Sequence, residues 1–356
     1  MEQSQNTTSM VDMFMHPVFR VKDSIIVEAN YAALQRQITV STVINDLLIT
    51  GQDEYASFTG GYLSVSIMVG GVTYIAGIVR YGDSDLFHLQ SEGVTPELRT
   101  LALAAQNINQ PLSNLLSMTD QFFSQEAIRN DPAIKQQAAH INRNLYQLMR
   151  IVKNMEFAGG NSQAKNFVTV NFVGLVGEIL NKAASIAASG QKQLHIKLPS
   201  DSIYCLADEA LIKRALYNMI SNALKFSPAE SDITAELSHS KDILRISICN
   251  HIDCNARDLM SSVYFRYLRD PGVEDGRNGL GLGISIIQSV AAAHGGTVLL
   301  DQPDADTVRF TMTIAIKNKP GMLHSNILFF DYAGGYDHAL LELSDVLSPS
   351  EYSDIN

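Results

Sequence analysis

The sequence predicts an α+β protein of several domains, and three observations support this class. The chain has 356 residues, more than one typical domain holds, and 46% of them are hydrophobic. Short apolar runs alternating with turn residues fill the first ninety positions, which is typical of strands. Two long stretches of helical periodicity follow, and the remainder mixes both patterns. We therefore expect domains at 1–92, 93–160 and 161–318, and an extension at 319–356.

Strand and turn signals define the first domain, 1–92. Two short strands flank a turn at Lys22-Asp23, and a helix is expected to begin at Asn30. Two longer apolar runs are joined by Gly70-Gly71, which predicts a β-hairpin, because adjacent glycines readily adopt the backbone of a tight turn. This order resembles that of PAS-type sensor domains. His16 and His88 have no clear cofactor-ligand setting, and we expect both to be surface residues.

The second domain, 93–160, is predicted to be a helical hairpin. Thr95-Pro96-Glu97 is a helix start, and a second helix is expected from Ala133 to about Glu156. When no other part of the chain buries the apolar stripe of a helical hairpin, the stripe usually packs against a second copy of the hairpin. We therefore expect a dimeric four-helix bundle. The apolar residues at helical spacing are Leu98, Leu101, Ile108, Leu112, Leu115, Leu116 and Phe122, then Ile134, Ile141, Leu145, Leu148, Ile151 and Val152.

One predicted helix of the third domain, 161–318, carries two amides and an ammonium on one face. Asn218, Asn222 and Lys225 fall at i, i+4 and i+7. Amide oxygens can complete the coordination shell of a Mg²⁺ ion, and a lysine can reach a phosphate. The spacing alone fits a buried-edge helix with polar neighbours better than it fits a metal–phosphate site.

A glycine-rich stretch follows about fifty residues later. Gly279, Gly281 and Gly283 occupy alternate positions directly before an apolar helical pattern. Such a loop can bring backbone N–H groups against phosphates at the start of a helix. The stretch is not a P-loop, since no Gly-Lys-Ser/Thr follows, and its spacing is a poor dinucleotide fingerprint.

Together, the amide helix, the glycine stretch and His294-Gly295-Gly296 resemble the conserved boxes of sensor histidine kinases. These kinases share an ATPase superfamily, known as GHKL, with DNA gyrase and mismatch-repair ATPases. The resemblance covers about Asn171 to Ile316 and implies a two-layer α/β sandwich that binds ATP and Mg²⁺. It assigns Asn218 and Asn222 to Mg²⁺, and it assigns nucleotide contacts to Asn218, Asn222, Lys225, Asn250, Gly279, Gly281 and Gly283.

The sequence departs from this family at the phosphoacceptor. Counting back from Pro111-Leu112, Gln106 stands at the histidine position and Asn107 at the adjacent acidic position. Neither amide can accept a phosphoryl group or act as a general base, so no catalytic residue is assigned. His140 is the other histidine of the hairpin, and its simplest interpretation is a helix-surface residue.

The first glycine box of the family is also altered. It normally reads Asp-x-Gly-x-Gly, and its aspartate holds the adenine amino group. Here the segment from Asn250 to Cys254 reads Asn-His-Ile-Asp-Cys. Asn250 keeps one acceptor oxygen but lacks the negative charge of aspartate. This predicts a weaker hydrogen bond to the adenine amino group and therefore weaker binding of adenine.

The last segment, 319–356, is expected to add a strand, a Gly334-Gly335 turn and a short helix. It contains no lysine or arginine after Lys319. Asp331 and Asp337 invite comparison with a phosphate-receiving aspartate, but the segment is too short for a receiver domain. We expect it to cover the sandwich or to dock a partner.

Charge and cysteine usage limit location and partners. The net charge of −11 argues against non-specific binding to nucleic acid or to an anionic membrane. No apolar run reaches the ~18–20 residues that span a bilayer, and no secretion signal is visible at the N-terminus. Three cysteines without metal-ligand spacing suit a reducing compartment. A cytoplasmic protein is expected.

Three functions remain open on the sequence. The leading one is a cytosolic, homodimeric signalling pseudokinase that binds ATP and passes a conformational signal to a response regulator or a partner kinase. The second is an active histidine kinase that phosphorylates His140 or another protein. The third is a dimeric scaffold that needs no nucleotide. ATP binding separates the third from the others, and phosphoryl transfer separates the first two.

Overall fold

The computed structural model describes residues 10–90, 96–123, 131–159, 166–189, 192–228, 230–252, 282–317 and 337–353. Several predictions from the sequence lie outside these ranges, among them Gly279, Gly281, Thr95 and the Gly334-Gly335 turn. Within the described ranges, no helix is both long enough and apolar enough to cross a membrane.

The helices and strands of the described residues follow the order expected from the sequence. The helices are α1 Tyr31–Leu34, α2 Gln52–Ala56, α3 Pro96–Phe123, α4 Pro132–Ala158, α5 Phe172–Ser189, α6 Glu209–Phe226, α7 Leu282–Ala293 and α8 His338–Glu342. The strands are β1 Val18–Lys22, β2 Ile25–Ala29, β3 Tyr62–Val69, β4 Val72–Tyr81, β5 Ser84–Gln90, β6 Val168–Asn171, β7 Gln193–Lys197, β8 Tyr204–Ala207, β9 Asp232–Ser240, β10 Ile243–His251, β11 Val298–Asp304 and β12 Thr307–Ala315. Short 3₁₀ turns lie at Met10–Met13, Ile44–Asp46 and Pro349–Tyr352.

These elements group into two compact units. The first holds the described residues of 10–90 and 291–314, and the second holds those of 96–252, 282–290 and 315–353. The four domains drawn from the sequence remain a prediction.

The first unit is built on an antiparallel sheet in the order β2-β1-β5-β4-β3-β11-β12. The predicted hairpin at Gly70-Gly71 is confirmed, since both glycines have positive φ, +59° and +80°, between β3 and β4. The first turn lies one residue later than expected, at Asp23-Ser24, where φ is +51° and +63°. Paired positive φ values match the twist of a two-residue hairpin.

The main core of this unit lies on one face of the sheet, around side chains such as Phe19, Ile67 and Phe87. A smaller cluster of Val11, Val18 and Leu86 is separate from this core. It covers strand positions whose side chains alternate with those of the main core.

His88 lies on β5 with the side chains of this smaller cluster, and it is only 2% exposed. The expectation of a surface residue was therefore wrong for His88. Period-two alternation assigns it to the face opposite Phe87, and the sequence did not show that the segment before β1 would cover that face.

In the second unit, α3 and α4 pack against each other. β9 and β10 form an antiparallel hairpin, and β7 joins β9 in parallel. β6 and β8 form a separate antiparallel pair. Helix α5 packs against β7, and α6 packs against α5 and β10.

The buried face of α4 differs from the apolar stripe read from the sequence. Ile141, Leu148 and Ile151 of that stripe are exposed. The buried positions include two polar residues, Asn142 and Arg150. The full set of buried positions is Ala138, Ala139, Asn142, Tyr146, Met149, Arg150 and Val152.

Candidate nucleotide-binding site

Helix α6 begins at an acidic cap. Asp208 is the N-cap residue, and its Oδ1 accepts a hydrogen bond from the backbone N–H of Leu211 at 3.2 Å. Its Oδ2 accepts a second bond from the N–H of Asn166 at 2.8 Å. A carboxylate here satisfies unpaired N–H groups and favours the positive end of the helix dipole. The cap therefore fixes the start of the helix that carries the candidate residues.

Asn218 lies in the middle of α6 and is 2% exposed. Its Nδ2 donates to the carbonyl oxygen of Arg214 at 2.9 Å, which orients the amide. The Oδ1 points towards the start of α7, because a Cβ built on Gly283 would lie 3.2 Å from it. The amide helix and the glycine stretch, about sixty residues apart in the sequence, thus meet at Asn218 and Gly283.

The orientation of the Asn218 amide decides whether these residues could bind a Mg²⁺–nucleotide. Magnesium takes oxygen ligands and keeps several waters and phosphate oxygens in its shell. The nitrogen of the Asn218 amide is engaged within its own helix, and the oxygen faces the glycine segment. A side chain at position 283 would crowd that oxygen. The residues described here therefore fit the group that the sequence implied.

Asn222 and Lys225 continue the same face of α6 and are half-buried. Lys225 lies in the last turn, with its Nζ 6.0 Å from the ring centroid of Phe226. The carbonyl groups at the end of α6 are bound by Lys192, whose Nζ donates to Leu224 O and to Ser227 O. Burial lowers the pKa of Lys192. Sequence reasoning missed Lys192, which stabilises the end of the helix.

Asn250 is the last residue but one of β10, which packs against α6, and it is 8% exposed. Its Nδ2 donates to the carbonyl oxygen of His251 at 2.9 Å, so its Oδ1 is the atom suited to accept a hydrogen bond. Ile252 is also buried. The rest of the altered glycine box, Asp253 and Cys254, lies outside the described residues.

The His294-Gly295-Gly296 turn follows the end of α7, and its backbone geometry explains why it contains two glycines. Gly295 has φ +69°, and the N–H of Gly296 donates to Ala291 O at 2.8 Å. A Cβ on Gly296 would lie 1.8 Å from Thr313 O. Both glycines are required by backbone geometry.

The two positions at which the sequence predicts a degenerate acceptor lie on α3. Gln106 and Asn107 are exposed, and His140 is exposed on α4. Nearby, Asn109 Nδ2 donates to Glu156 Oε1 at 3.3 Å, which joins α3 to α4. The expected helix-surface setting of His140 is confirmed.

Two arginines that the sequence did not single out join α4 to α6. Arg214 donates to Lys153 O and to Asn154 Oδ1, both at 2.8 Å, and its guanidinium lies 4.7 Å from the ring centroid of Phe157. Arg150 donates to Ser221 Oγ at 3.3 Å. The helix that carries the candidate site is therefore held directly by the second helix of the hairpin.

The C-terminal segment 337–353 packs on the same helices. Arg150 lies 2.6 Å from Asp345 and 3.7 Å from Glu342, measured between the charged atoms. Asp337 caps α8 and pairs with Lys182 of α5 at 2.6 Å. The rings of Tyr146 and Tyr352 pack with centroids 5.2 Å apart. The described part of the extension therefore packs on α4 and α5, and its role in covering the sandwich or docking a partner stays a prediction.

Residues 207–318 match the family described as histidine kinase-, DNA gyrase B-, and HSP90-like ATPase. The matched range contains the Asn218 helix, Asn250 and the glycine stretch.

Curated relatives extend the similarity. The sensor protein KdpD of Clostridium acetobutylicum is 29% identical over 158 residues, which are 42% of this chain and 17% of that protein. The adaptive-response sensory kinase SasA of Gloeothece citriformis is 25% identical over 250 residues, 65% of this chain and 62% of that protein. The chain thus spans less than two thirds of the length of these relatives. Among solved structures, full-length ShkA in complex with AMPPNP matches 64% of this chain and 47% of its own, with 20% identity and a TM-score of 0.46.

Proposed function

We propose that this relative of the sensor histidine kinases, with its ATPase domain at 207–318, is a signalling pseudokinase. It binds Mg²⁺-ATP and passes a conformational signal without phosphorylating itself. The observation that carries nucleotide binding is the approach of Asn218 Oδ1 to Gly283. The observation that carries the lack of phosphorylation is the pair of amides at Gln106 and Asn107.

In this proposal the residues of α6 hold the phosphate end of the nucleotide. The oxygens of Asn218 and Asn222 bind Mg²⁺, and the Lys225 ammonium neutralises a phosphate. The glycine stretch, Gly279 to Gly283, brings backbone N–H groups to the phosphates. Asn250 accepts from the adenine amino group. Since a neutral acceptor replaces a charged one, we expect affinity about tenfold below that of a family member with aspartate there.

The first prediction concerns this site. Lys225→Ala should weaken Mg²⁺-ATP binding about tenfold or more, because a charge-assisted contact to phosphate is worth about 1.5–3 kcal/mol. Asn222→Asp should also weaken binding, since a carboxylate repels the phosphates. Isothermal titration calorimetry at fixed salt measures both. Lys213→Ala is the matched control, because Lys213 lies on the same helix at a different angle and is also half-buried.

Two results would contradict nucleotide binding. One is the absence of heat with Mg²⁺-ATP in the unmodified protein, and the other is equal binding by Lys225→Ala and Lys213→Ala. The first result would favour the nucleotide-independent scaffold.

The absence of catalysis follows from the missing proton acceptors. Histidine phosphorylation needs an imidazole to attack the terminal phosphate and a carboxylate to take its proton. The related hydrolysing ATPases instead activate water with a glutamate at the first position of the asparagine box, where this chain has Asn218. General acid–base assistance commonly contributes about 10²–10⁴-fold in rate, and neither route has its base here.

The second prediction is therefore that no phosphohistidine forms. Incubation with γ-labelled ATP and Mg²⁺ should leave the protein without acid-labile label, while an active histidine kinase assayed in parallel becomes labelled. ATP turnover should be at trace level.

A labelled band would contradict this prediction, and two variants show where the label lies. Loss of label in His140→Ala but not in His239→Ala, which removes an exposed histidine from β9, would establish His140 as a relocated acceptor. The active-kinase alternative would then replace the pseudokinase.

The architecture of the signalling protein is part of the same proposal. We assign the strands and helices of 10–90 to a PAS-like sensor and the α3–α4 hairpin to dimerisation through a four-helix bundle. We assign the region around α6 to a two-layer sandwich of the histidine-kinase type. A response regulator or a partner kinase receives the signal. The exposed apolar face of the hairpin supports the dimer.

A further inference from the structure

The sheet of the first unit joins strands from two distant parts of the chain. Strands β1 to β5, which we assign to sensing and call the sensor strands, all lie within 10–90. Strand β11 belongs instead to the range 207–318 that matches the ATPase family. It pairs antiparallel with β3, with Ser64 opposite Val298. An edge of the sensor strands is therefore covered by a strand of the ATPase range.

The pairing is short, and β11 shares this edge of β3 with a loop of the sensor range. It comprises three residue pairs, which are Ser64 with Val298, Leu63 with Leu299, and Tyr62 with Leu300. Farther along β3, Met68 N–H donates to Leu47 O and Ser66 O accepts from the N–H of Ile49, both at 2.8 Å. The loop thus protects one part of the strand permanently, and β11 protects the other part. Three pairs of main-chain groups can separate without unfolding of the sheet.

Side chains of the ATPase range also pack into the sensor core. Leu299 contacts the main core cluster, to which Leu63 and Val65 belong. Thr297, directly before β11, is 3% exposed. A Cβ on Gly51 would lie 2.7 Å from Val65 Cγ1 and 2.8 Å from Thr297 Cγ2. Apolar packing therefore supports the strand pairing on this side of the sheet.

Gly61 permits the close approach of the two strands. It has φ +88°, and a Cβ there would lie 2.3 Å from Leu300 O and 3.3 Å from Asp301 Cα. Both atoms belong to the backbone and cannot rotate away, so a side chain at position 61 must push β3 and β11 apart. Gly71 has a similar φ of +80°, but a Cβ there meets nothing within 4 Å. The two glycines therefore differ in their contact with β11 and resemble each other in backbone conformation.

A tight turn connects β11 to the end of α7. The N–H groups of His294 and Gly296 both donate to Ala291 O, at 3.0 Å and 2.8 Å. The N–H of Thr297 donates to Thr313 Oγ1 at 2.8 Å, and its carbonyl oxygen accepts from the N–H of Thr313 at 2.9 Å. These bonds leave little slack between the strand and the helix. A shift of β11 is therefore passed on to α7.

We propose that the β3–β11 pairing is a docking contact between the sensor strands and the ATPase range of the same chain, and that it holds α7 in position. A change in the sensor strands that separates the pair moves α7, whose first turn contains Gly283. Nucleotide affinity then changes with the state of the sensor strands. This last consequence rests on the function proposed above, whereas the docking contact does not.

Disulfide cross-linking of the full-length protein tests the pairing. Ser64→Cys/Val298→Cys places two thiols on directly opposite residues, within disulfide range for an antiparallel pair. Mild oxidation should join these two cysteines within one chain, as located by mass spectrometry of the peptides. Ser66→Cys/Val298→Cys is the matched control, because it moves one thiol two residues along β3, and it should not cross-link. Equal cross-linking of both variants, no cross-link in the first, or a cross-link between two chains would overturn the proposal.

Hydrogen exchange without nucleotide tests the hold on α7. The amides of Val298 to Leu300 and of Ile286 and Ile287 should exchange at least about tenfold faster in Gly61→Ala than in Gly71→Ala. The amide of Leu89, which donates to Pro17 O, should exchange alike in both, which shows that the sensor strands stay folded. The oxidised cross-linked protein should exchange more slowly at Ile286 than its reduced form does. Equal exchange at Ile286 and Ile287 in the two glycine variants would refute the hold on α7.

Calorimetry with Mg²⁺-ATP separates this inference from the proposed function. Gly61→Ala should change the dissociation constant at least about threefold, and Gly71→Ala should leave it unchanged. Faster exchange in α7 with an unchanged dissociation constant would refute the route to the nucleotide site. Absence of binding by the unmodified protein would refute the proposed function and this route, and exchange and cross-linking would still decide whether the docking contact exists.

Discussion

A Leu115→Asp variant is expected to be a monomer under conditions in which the unmodified protein is a dimer. Leu101, Ile108, Leu115 and Phe122 recur every seven residues on α3 and are between 47% and 55% exposed. A heptad repeat of exposed apolar residues on a long helix is the pattern of a helix-pairing surface. On α4, Ile141, Leu148 and Ile151 are similarly exposed. These seven residues form the surface that we expect to be covered by a second copy.

The expected effect is large because each protomer carries the substitution. Full burial of a leucine is worth about 1.5–3 kcal/mol, and loss of that amount on both sides of the interface raises the dissociation constant at least about 10²-fold. Burial of two carboxylates adds to this penalty. Light scattering coupled to gel filtration at micromolar concentration measures the state directly.

Leu103→Asp is the matched control. Leu103 is 58% exposed on the same helix, but it points away from the heptad face, so this variant should remain a dimer. Leu112 is a poor probe, because it is 7% exposed and a charge there would disturb the packing of α3 itself. An unmodified protein that is monomeric at micromolar concentration would refute the bundle. So would equal behaviour of Leu115→Asp and Leu103→Asp.

The hairpin shows how far the sequence could predict this fold. The two helices were found within a few residues of their ends, because helical periodicity continues for more than twenty residues in each. The face buried by α4 was not found. Periodicity in apolar residues selects Ile141, Leu148 and Ile151, whereas α4 buries Asn142 and Arg150 against other parts of the chain. Polar residues that are buried through specific partners leave no apolar signal.

The candidate site was predictable to the extent that it rests on local motifs. The spacing of Asn218 and Asn222 placed both on one helix face, and the glycine stretch predicted the start of α7. The hydrogen bond that orients Asn218, and the support of α6 by Arg214 and Lys192, depend on residues far apart in sequence. Such contacts follow from the tertiary fold, which a single sequence does not specify by spacing.

The prediction that His88 lies on the surface was wrong for the same reason. Alternation along β5 assigns His88 to one face of a sheet, but whether that face is covered depends on the segment from Met10 to Pro17. The alternating pattern of a strand shows which residues share a face of the sheet, but it does not show whether other parts of the chain bury that face.

The second large effect is expected from Arg150→Met. The Arg150 side chain is 8% exposed and faces Glu342, Asp345 and Ser221. Glu342 is buried as well, at 6%. Removal of one partner of a buried ion pair leaves the other charge without compensation and typically costs about 3–5 kcal/mol. The C-terminal segment 337–353 should therefore lose most of its attachment to α4.

Hydrogen exchange measures this local loss better than global unfolding does, because a multidomain chain does not unfold in one step. The amides of Leu341 and Leu343 are hydrogen-bonded to Asp337 O and Ala339 O, so their exchange reports opening of α8. In Arg150→Met their exchange should accelerate about 10²–10³-fold at constant pH.

Two variants make the result specific to the buried charge. Arg150→Met/Glu342→Met removes both partners and should recover most of the protection, because no buried charge is left alone. Lys182→Met removes a pair with Asp337 whose side chains are 39% and 31% exposed, and it should change exchange by less than about tenfold. Equal acceleration in Arg150→Met and Lys182→Met would show that the buried cluster has no special role. The acidic tail, which has no lysine or arginine after Lys319, would then be attached chiefly by apolar and tyrosine contacts such as that between Tyr146 and Tyr352.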